Sequence, residues 1–485
     1  MPGSRLVGDA GGVAVTGISL SSQRVSPGDL YAALPGSRVH GIDFVVGAVE
    51  AGAVAVLTDE RGAEAAATSV STLVPMLVVE SPRAVLGRLA ADVYGRPAES
   101  MRMIGVTGTQ GKTTTTRLAE GGLQAAGVSA SVIGTVGTRI AGEDVRTSLT
   151  TPEAPDLHGL FAVMREREVE VCAMEVSSHA LVMGRVDGVV FDVAVFVNLG
   201  RDHLDFHADV EDYFAAKASL FTRERARLGL VNIDDEHGRR LAAEAEIAIR
   251  TLSTQGRDAD WRVADVSLWA SGSTFTILAP DGRRLAGGCP LPGDFNIANT
   301  LAAVAATGEA GMDAEAVAAG IADAGGVPGR FERVDAGQDF VVVVDYAHKP
   351  DAVEAAISTL RPLTDGRVIV VLGAGGDRDP GKRPIMAGIA ARLADVLVVT
   401  DDNPRTEDPA AIRAAMLDGT RDGPAEVVEI GDRRAAVREA VARARAGDIV
   451  LIAGKGHETG QEIDGVVHPF DDRVVAREAL GERRP

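Results

Sequence analysis

Short apolar runs alternate with polar loops and helix-period stretches along nearly the whole chain, and that alternation predicts strands interleaved with helices. In the first hundred residues a turn at Ser26-Pro27-Gly28-Asp29 precedes a strand at Leu30 to Leu34. A further strand at Gly52 to Leu57 follows an Ala-rich helix, so residues 1–100 read as a small α/β domain. Residues 101–327 repeat the order strand, polar loop, helix, which predicts a mostly parallel sheet covered on both faces. After a boundary at Val327-Pro328-Gly329, residues 328–485 carry apolar runs at Phe340 to Val344, Val368 to Leu372, Val396 to Thr400 and Ile449 to Ala453. Each ends in a polar loop, the pattern of a Rossmann-like unit. The expected fold class is therefore α/β in three domains, with functional side chains gathered at the carboxyl ends of strands.

Composition narrows this picture without redirecting it. A length of 485 residues suits about three domains of ~150 residues. The two cysteines, Cys172 and Cys289, are far apart and form no C-x-x-C, which argues against a disulfide framework or thiolate metal site and fits a reducing cytoplasm. Met1-Pro2-Gly3-Ser4-Arg5 lacks the apolar core of a leader, and no apolar run approaches the ~20 residues needed to span a bilayer. Membrane insertion is not expected. The net charge of −20 repels nucleic acid and anionic membranes, so an anionic small molecule must be captured by local positive groups.

Those groups stand at Gly105 to Thr116, GVTGTQGKTTTT, where the end of a buried strand turns into a helix. Gly108 and Gly111 let backbone N–H groups approach an anion, the helix adds its positive dipole end, and Lys112 adds a full charge. Thr109, Gln110 and Thr114 complete the loop, and Thr113 presents a hydroxyl where Mg²⁺ would sit. The strict G-x-x-x-x-G-K-[ST] spacing fails by one residue, because Val106 stands where a glycine is required and Gly105 comes one place early. The remaining T-G-T-x-G-K-T resembles the shortened loop of the Mur ligase and folylpolyglutamate synthetase superfamily, ATP-dependent enzymes that join an amine to a carboxylate.

The resemblance extends through the chain. Ser19 to Gly36, SLSSQRVSPGDLYAALPG, is similar to the UDP-binding segment of the UDP-N-acetylmuramoyl-tripeptide synthetases. Ser22 keeps the family hydroxyl, while Ser21 and Gln23 replace a charged Asp and Arg pair. Thr150, Thr151, Ser177 and Arg185 match positions that contact the UDP-linked peptide, with Met183 where several relatives carry a polar residue. Glu175 ends an apolar strand and is a candidate Mg²⁺ ligand, since that ion takes oxygen donors and only one or two protein carboxylates. In Gly200-Arg201-Asp202-His203-Leu204-Asp205-Phe206-His207, two His and two Asp fall within six positions and in isolation suggest zinc. The resemblance implies instead a single Mg²⁺ ligand, His203, leaving Asp202 or Asp205 to cap the next helix. Lys217 lies on a largely apolar helix, where it would reach solvent or pair with Glu211 or Asp212. The resemblance implies a carbamylated lysine that orders a second Mg²⁺ and serves catalysis together with Lys112 and His203. Asn296 and Asn299 share a helix face; the family uses this element near adenine, and Asn296 is also a candidate helix cap.

In the last domain the loops are DYAHKP, GAGGDRDPGKRP, DDNPRTEDP and GKGHETGQ. Arg330, Asp345 and His348 resemble the family's residues around ATP. Arg378, Asp402, Asn403, Pro404, Arg405, Gly454 and Glu458 match its amino-acid-binding positions, with Gly460 where relatives often have Tyr. Within the resemblance, Arg405 in Asp402-Asn403-Pro404-Arg405 implies meso-diaminopimelate rather than lysine as the acceptor, since the diaminopimelate-adding synthetases carry this arginine and the lysine-adding ones do not; a guanidinium can meet the second carboxylate through two parallel hydrogen bonds. The resemblance thus implies ATP-dependent, Mg²⁺-dependent addition of meso-diaminopimelate to UDP-N-acetylmuramoyl-L-alanyl-D-glutamate by a cytoplasmic monomer. The rival expectations are a lysine-adding ligase of the same fold, a folylpolyglutamate synthetase, and a catalytically silent UDP-sugar-binding partner.

Overall fold

The computed structural model describes residues 4–67, 74–269 and 271–483, so Met1-Pro2-Gly3, read above for leader character, lies outside the described residues. The chain divides into two compact units. The first comprises Met1–Arg262, Ala279–Gly282 and Leu301–Gly320, and the second Val263–Leu278, Arg283–Thr300 and Ile321–Pro485. Among the described residues no helix is long and apolar enough to cross a membrane.

The first unit holds two sheets. The smaller has the order Arg5–Val7, Met76–Val78, Ala55–Thr58, Asp29–Ala32, Gly17–Ser19, antiparallel at its first pair and parallel beyond it. All four residues of Asp29–Ala32 are buried. Tyr31, Val56 and Met76 belong to one apolar cluster and Ile18, Leu30 and Leu57 to another. In the larger sheet, Ala248–Ser253, Ala226–Asn232, Phe191–Phe196, Arg102–Thr107, Val171–Glu175 and Ala130–Gly134 run parallel in that order, and Gly137–Ile140 and Glu143–Val145 follow as antiparallel edge strands. Burial on both faces explains why the central strands Phe191–Phe196, Arg102–Thr107, Val171–Glu175 and Ala130–Gly134 read as largely continuous apolar runs rather than alternating ones. Cys172, mid-strand in Val171–Glu175, is fully buried, and burial pushes its thiol up to about 12. The early glycine of the phosphate-loop sequence also finds its reason: a Cβ on Gly105 would lie 2.8 Å from the Phe191 ring, so Gly105 serves strand packing.

In the second unit the sheet order is Glu332–Arg333, Val341–Asp345, Ile449–Ala453, Val368–Ala374, Val396–Asp401, Glu426–Glu429, parallel except at the first pair. The four expected strands are all present, and two short edge strands flank them. A two-stranded ribbon, Gly460–Ile463 with Val466–Pro469, turns at Asp464-Gly465, whose φ values of 50° and 74° suit a tight type I′ hairpin. Beneath the carboxyl ends of two central strands lies a fully buried ion pair, Arg433 with Asp472 at 2.7 Å; Arg433 also donates to the Ala453 carbonyl.

Candidate active site

Four adjacent parallel strands of the first unit end around one cluster of polar groups. The helix Lys112–Ala125 starts at Gly111, φ 85°, with no side-chain cap, so its dipole end is left for an anion rather than for a neighbouring Ser or Asp. Asn198, just beyond Phe191–Phe196, braces the loop: its Oδ1 accepts from the backbone N–H of Thr109 at 3.2 Å and of Gln110 at 3.0 Å. Lys112 folds back over the loop, donating to the carbonyls of Gly108 at 2.7 Å and Thr109 at 3.0 Å.

Lys217 reaches the same place from the helix Val210–Ala218. It is 1% exposed, donates to the Gly108 carbonyl at 2.8 Å and lies 4.4 Å from the centre of the Tyr213 ring. The alternatives of a lysine reaching solvent or pairing with Glu211 or Asp212 are not realised, because the helix turns this face inward; Asp212 meets His207 and Glu211 meets Arg240. Desolvation, and then the nearby Lys112 charge, hold the Lys217 amine well below its ordinary pKa. A buried amine so displaced spends more time neutral, the form that attacks carbon dioxide.

Glu175 is 1% exposed at the end of its strand. Its Oε1 accepts from the Thr113 hydroxyl and the Thr135 N–H, each at 2.8 Å, and Oε2 accepts from the Thr135 hydroxyl at 3.1 Å. Gly134 permits this, since a Cβ there would sit 2.3 Å from Glu175 Oε1. A carboxylate beside a hydroxyl is an oxygen donor set that fits Mg²⁺ with phosphate and water completing the shell. Among the described residues, the stretch 202–207 included, no group of three or more His, Cys, Asp or Glu is arranged to hold a metal ion. His203 has φ 56° and stands edge-on to His179, ring centres 4.8 Å apart. It also lies 6.0 Å from the Tyr213 ring, whose hydroxyl meets Thr109 at 3.2 Å. Neither Asp202 nor Asp205 caps the helix Val210–Ala218; Asp209 does, accepting from the Asp212 N–H.

Around the same strand end, Thr150 meets Thr135 hydroxyl to hydroxyl at 3.0 Å, and Thr151 donates to the Glu175 carbonyl at 2.8 Å and contacts Ser177 at 3.4 Å. Arg185 donates to the Thr151 carbonyl and pairs with Glu153 at 2.8 Å. Ser22 lies in the short turn Ser22–Arg24 of the smaller sheet's loops, half-buried.

In the second unit the carboxyl ends of the parallel strands enclose a cavity of about 370 Å³. His348, Arg378, Asp402, Asn403, Arg405 and Glu458 all line it, and so does Gly454. Arg405 is held from two sides. Its φ is 52°, its Nη1 donates to the Gly376 carbonyl at 2.7 Å, and its Nε faces Glu462 at 3.2 Å. Pro404 shapes the turn from behind, where its carbonyl would lie 1.9 Å from any Cβ on Gly376. Asp345 is buried, accepts from the N–H groups of Phe331 and Ala347, and is pushed upward by burial against the opposing Arg330 charge. Arg330 stacks over Tyr346 at 4.8 Å. Burial also lowers His348, whose Nδ1 meets the Tyr346 carbonyl. Asn296 is 1% exposed inside the helix Asp294–Glu309, donates to the Pro292 carbonyl at 2.7 Å and accepts from Asn299.

The chain matches known proteins along nearly its whole length. Residues 14–94 match the model for the Mur ligase family, catalytic domain; residues 106–307 the Mur ligase middle domain; and residues 329–456 the Mur ligase, glutamate ligase domain. UDP-N-acetylmuramoyl-L-alanyl-D-glutamate--2,6-diaminopimelate ligase of Streptomyces avermitilis is 57% identical over 471 residues, covering 96% of this chain and 92% of its own. The chain belongs to the Mur ligase family. The Streptomyces coelicolor protein of the same name is also 57% identical, over 97% of this chain and 93% of its own. A solved structure with that ligase name superposes with a TM-score of 0.69 at 34% identity, covering 97% of this chain and 95% of that one.

Several residues of this Mur ligase's candidate site were not singled out by sequence. Thr135, which supplies two of the hydrogen bonds on Glu175, follows a strand with no motif around it. Tyr213 looked like an apolar helix residue. Lys455 lies in GKGHETGQ, but nothing in that string signals that its side chain is fully buried.

Proposed function

We propose that this Mur ligase uses ATP to join meso-diaminopimelate to UDP-N-acetylmuramoyl-L-alanyl-D-glutamate, working as a cytoplasmic monomer with domain limits near residues 100 and 327. The observation that carries the reading is Arg405, a half-buried guanidinium on the wall of the second unit's cavity, beside Glu458 and Asn403. An acid and a fixed cation in one cavity suit a zwitterionic end of an amino acid, and the cation selects a substrate that carries a second carboxylate. The ligase name shared by relatives at 57% identity supports the same substrates.

In this reading Lys112 and the loop N–H groups hold the phosphates of ATP. The D-glutamyl carboxylate takes the terminal phosphoryl group, giving an acyl phosphate and ADP; the diaminopimelate amine then attacks the acyl carbon, loses its proton, and phosphate leaves. Thr113, Glu175 and His203 would hold Mg²⁺, a carbamylated Lys217 would order a second Mg²⁺, and the ions would offset phosphate charge. Thr150, Thr151, Ser177, Arg185 and Ser22 bind the UDP-linked peptide. Asn296, Arg330, Asp345 and His348 bind the nucleotide, while Arg378, Asp402, Asn403, Pro404 and Gly454 complete the amino-acid cradle. Orientation and charge supply the rate, since little covalent work falls to the protein.

An amino-acid panel at fixed ATP and UDP-dipeptide tests this. Phosphate release should depend on both the dipeptide and meso-diaminopimelate. Comparable turnover with L-lysine, or ATP hydrolysis without either substrate, would overturn it.

A further inference from the structure

Lys455 has a fully buried side chain, placed by two glycines. Gly454 and Gly456 have φ of 116° and 55°, and a Cβ on Gly456 would lie 2.8 Å from the Tyr346 side chain, so the chain turns inward around Lys455 where other residues would clash. The buried amine donates to Asn403 Oδ1 at 2.8 Å and to Glu458 Oε2 at 3.2 Å. Asn403 Nδ2 in turn donates to the same Glu458 oxygen at 2.9 Å, while its Oδ1 also accepts from the Glu462 N–H at 3.0 Å.

This triangle settles orientations. Asn403 Oδ1 faces two donors, so a flipped amide would oppose N–H to N–H. Glu458 Oε2 is engaged twice, while Oε1 has no protein partner among the described residues, and Glu458 lines the cavity. A buried ammonium is expensive to desolvate, and an apolar side chain of the same length would fill the space at lower cost. Its presence here therefore points to a task at the cavity wall. We propose that Lys455 is a positioning residue for the amino-acid substrate: it fixes Glu458 and Asn403 so that Glu458 Oε1 meets the ammonium of the incoming amino acid beside Arg405. The proposal rests on the reading that this cavity takes the amino acid, and adds to it a residue that touches no substrate.

The test is Lys455→Met, nearly equal in length and without charge, assayed with ATP, UDP-dipeptide and amino acid each varied in turn. KM for meso-diaminopimelate should rise about 10- to 100-fold, the weight of one charge-assisted hydrogen bond, with KM for ATP and UDP-dipeptide within about twofold of wild type. An unchanged amino-acid KM overturns the proposal, as does a parallel rise in all three. Lys455→Gln, which keeps a polar end one bond short, covers the case of a Met variant that does not fold. It should show the same split, and failure of both variants to fold would mean a purely structural role and overturn the proposal. If the wild type takes a different amino acid from the panel, the substrate reading fails, and the KM split measured on that amino acid still decides the role of Lys455.

Discussion

Lys112 and Lys217 donate to one oxygen, the carbonyl of Gly108, at 2.7 and 2.8 Å. Two amines on one acceptor repel when both are charged, and the buried one yields: Lys217 is the group whose pKa falls well below 10.5, by desolvation first and Lys112 second. The sign for stability follows. With a depressed folded pKa, the unfolded chain binds more protons between that value and the ordinary lysine value, so this residue's contribution rises with pH across that window and is unfavourable below it. Urea unfolding in carbon-dioxide-free buffer should show wild type gaining stability relative to Lys217→Met from pH 7 to 10. A flat difference would mean that Lys217 is charged in the folded state.

Lys112→Ala should lower kcat with ATP by roughly 10²- to 10³-fold, the effect of removing one fixed donor from developing charge, while leaving UDP-dipeptide binding intact. Single-turnover phosphate release with calorimetry of UDP-dipeptide binding separates the two.

Arg405→Ala should reduce kcat/KM for meso-diaminopimelate by roughly two to three orders of magnitude and leave any slow turnover of L-lysine unchanged. Gly376→Ala should act in the same direction without touching substrate, because its Cβ would drive into the Pro404 carbonyl that sets the loop before Arg405. Comparing the two amino acids in both variants measures the selectivity ratio directly.

Arg433→Met should destabilise the second unit by ~3 to 5 kcal/mol, since it strands Asp472 without its partner in the interior. Arg433→Met with Asp472→Leu should recover most of the loss in a urea titration, because an apolar pair of similar volume replaces both charges.

Much of this molecule was legible from its sequence because parallel strands buried on both faces announce themselves as unbroken apolar runs. Val171–Glu175 and Ile449–Ala453 were read that way, and so were the loops that follow them. What escaped was depth and distance. Lys217 meets Gly108 across 109 residues, and helix spacing alone gave it Glu211, Asp212 or solvent. Asp209, rather than Asp202 or Asp205, caps its helix because the helix begins at Val210, directly after Asp209 and several residues beyond the other two. The ribbon at residues 460–469 carries a short-range signal of its own, since Asp464-Gly465 between Gln461-Glu462-Ile463 and Val466-Val467 is a recognisable hairpin turn.

That ribbon reaches further than its size suggests. Arg405 N–H donates to the Glu462 carbonyl, Asp464 N–H donates to the Arg405 carbonyl, and Glu462 faces the guanidinium. The residue that would discriminate among amino acids is thereby stitched, main chain to main chain, to a surface hairpin whose tip lies outside the cavity. Altering the length of that tip would retune which amino acid is accepted while every wall of the cavity kept its sequence, so divergence in selectivity within such enzymes has a route that inspection of the pocket residues alone would never register.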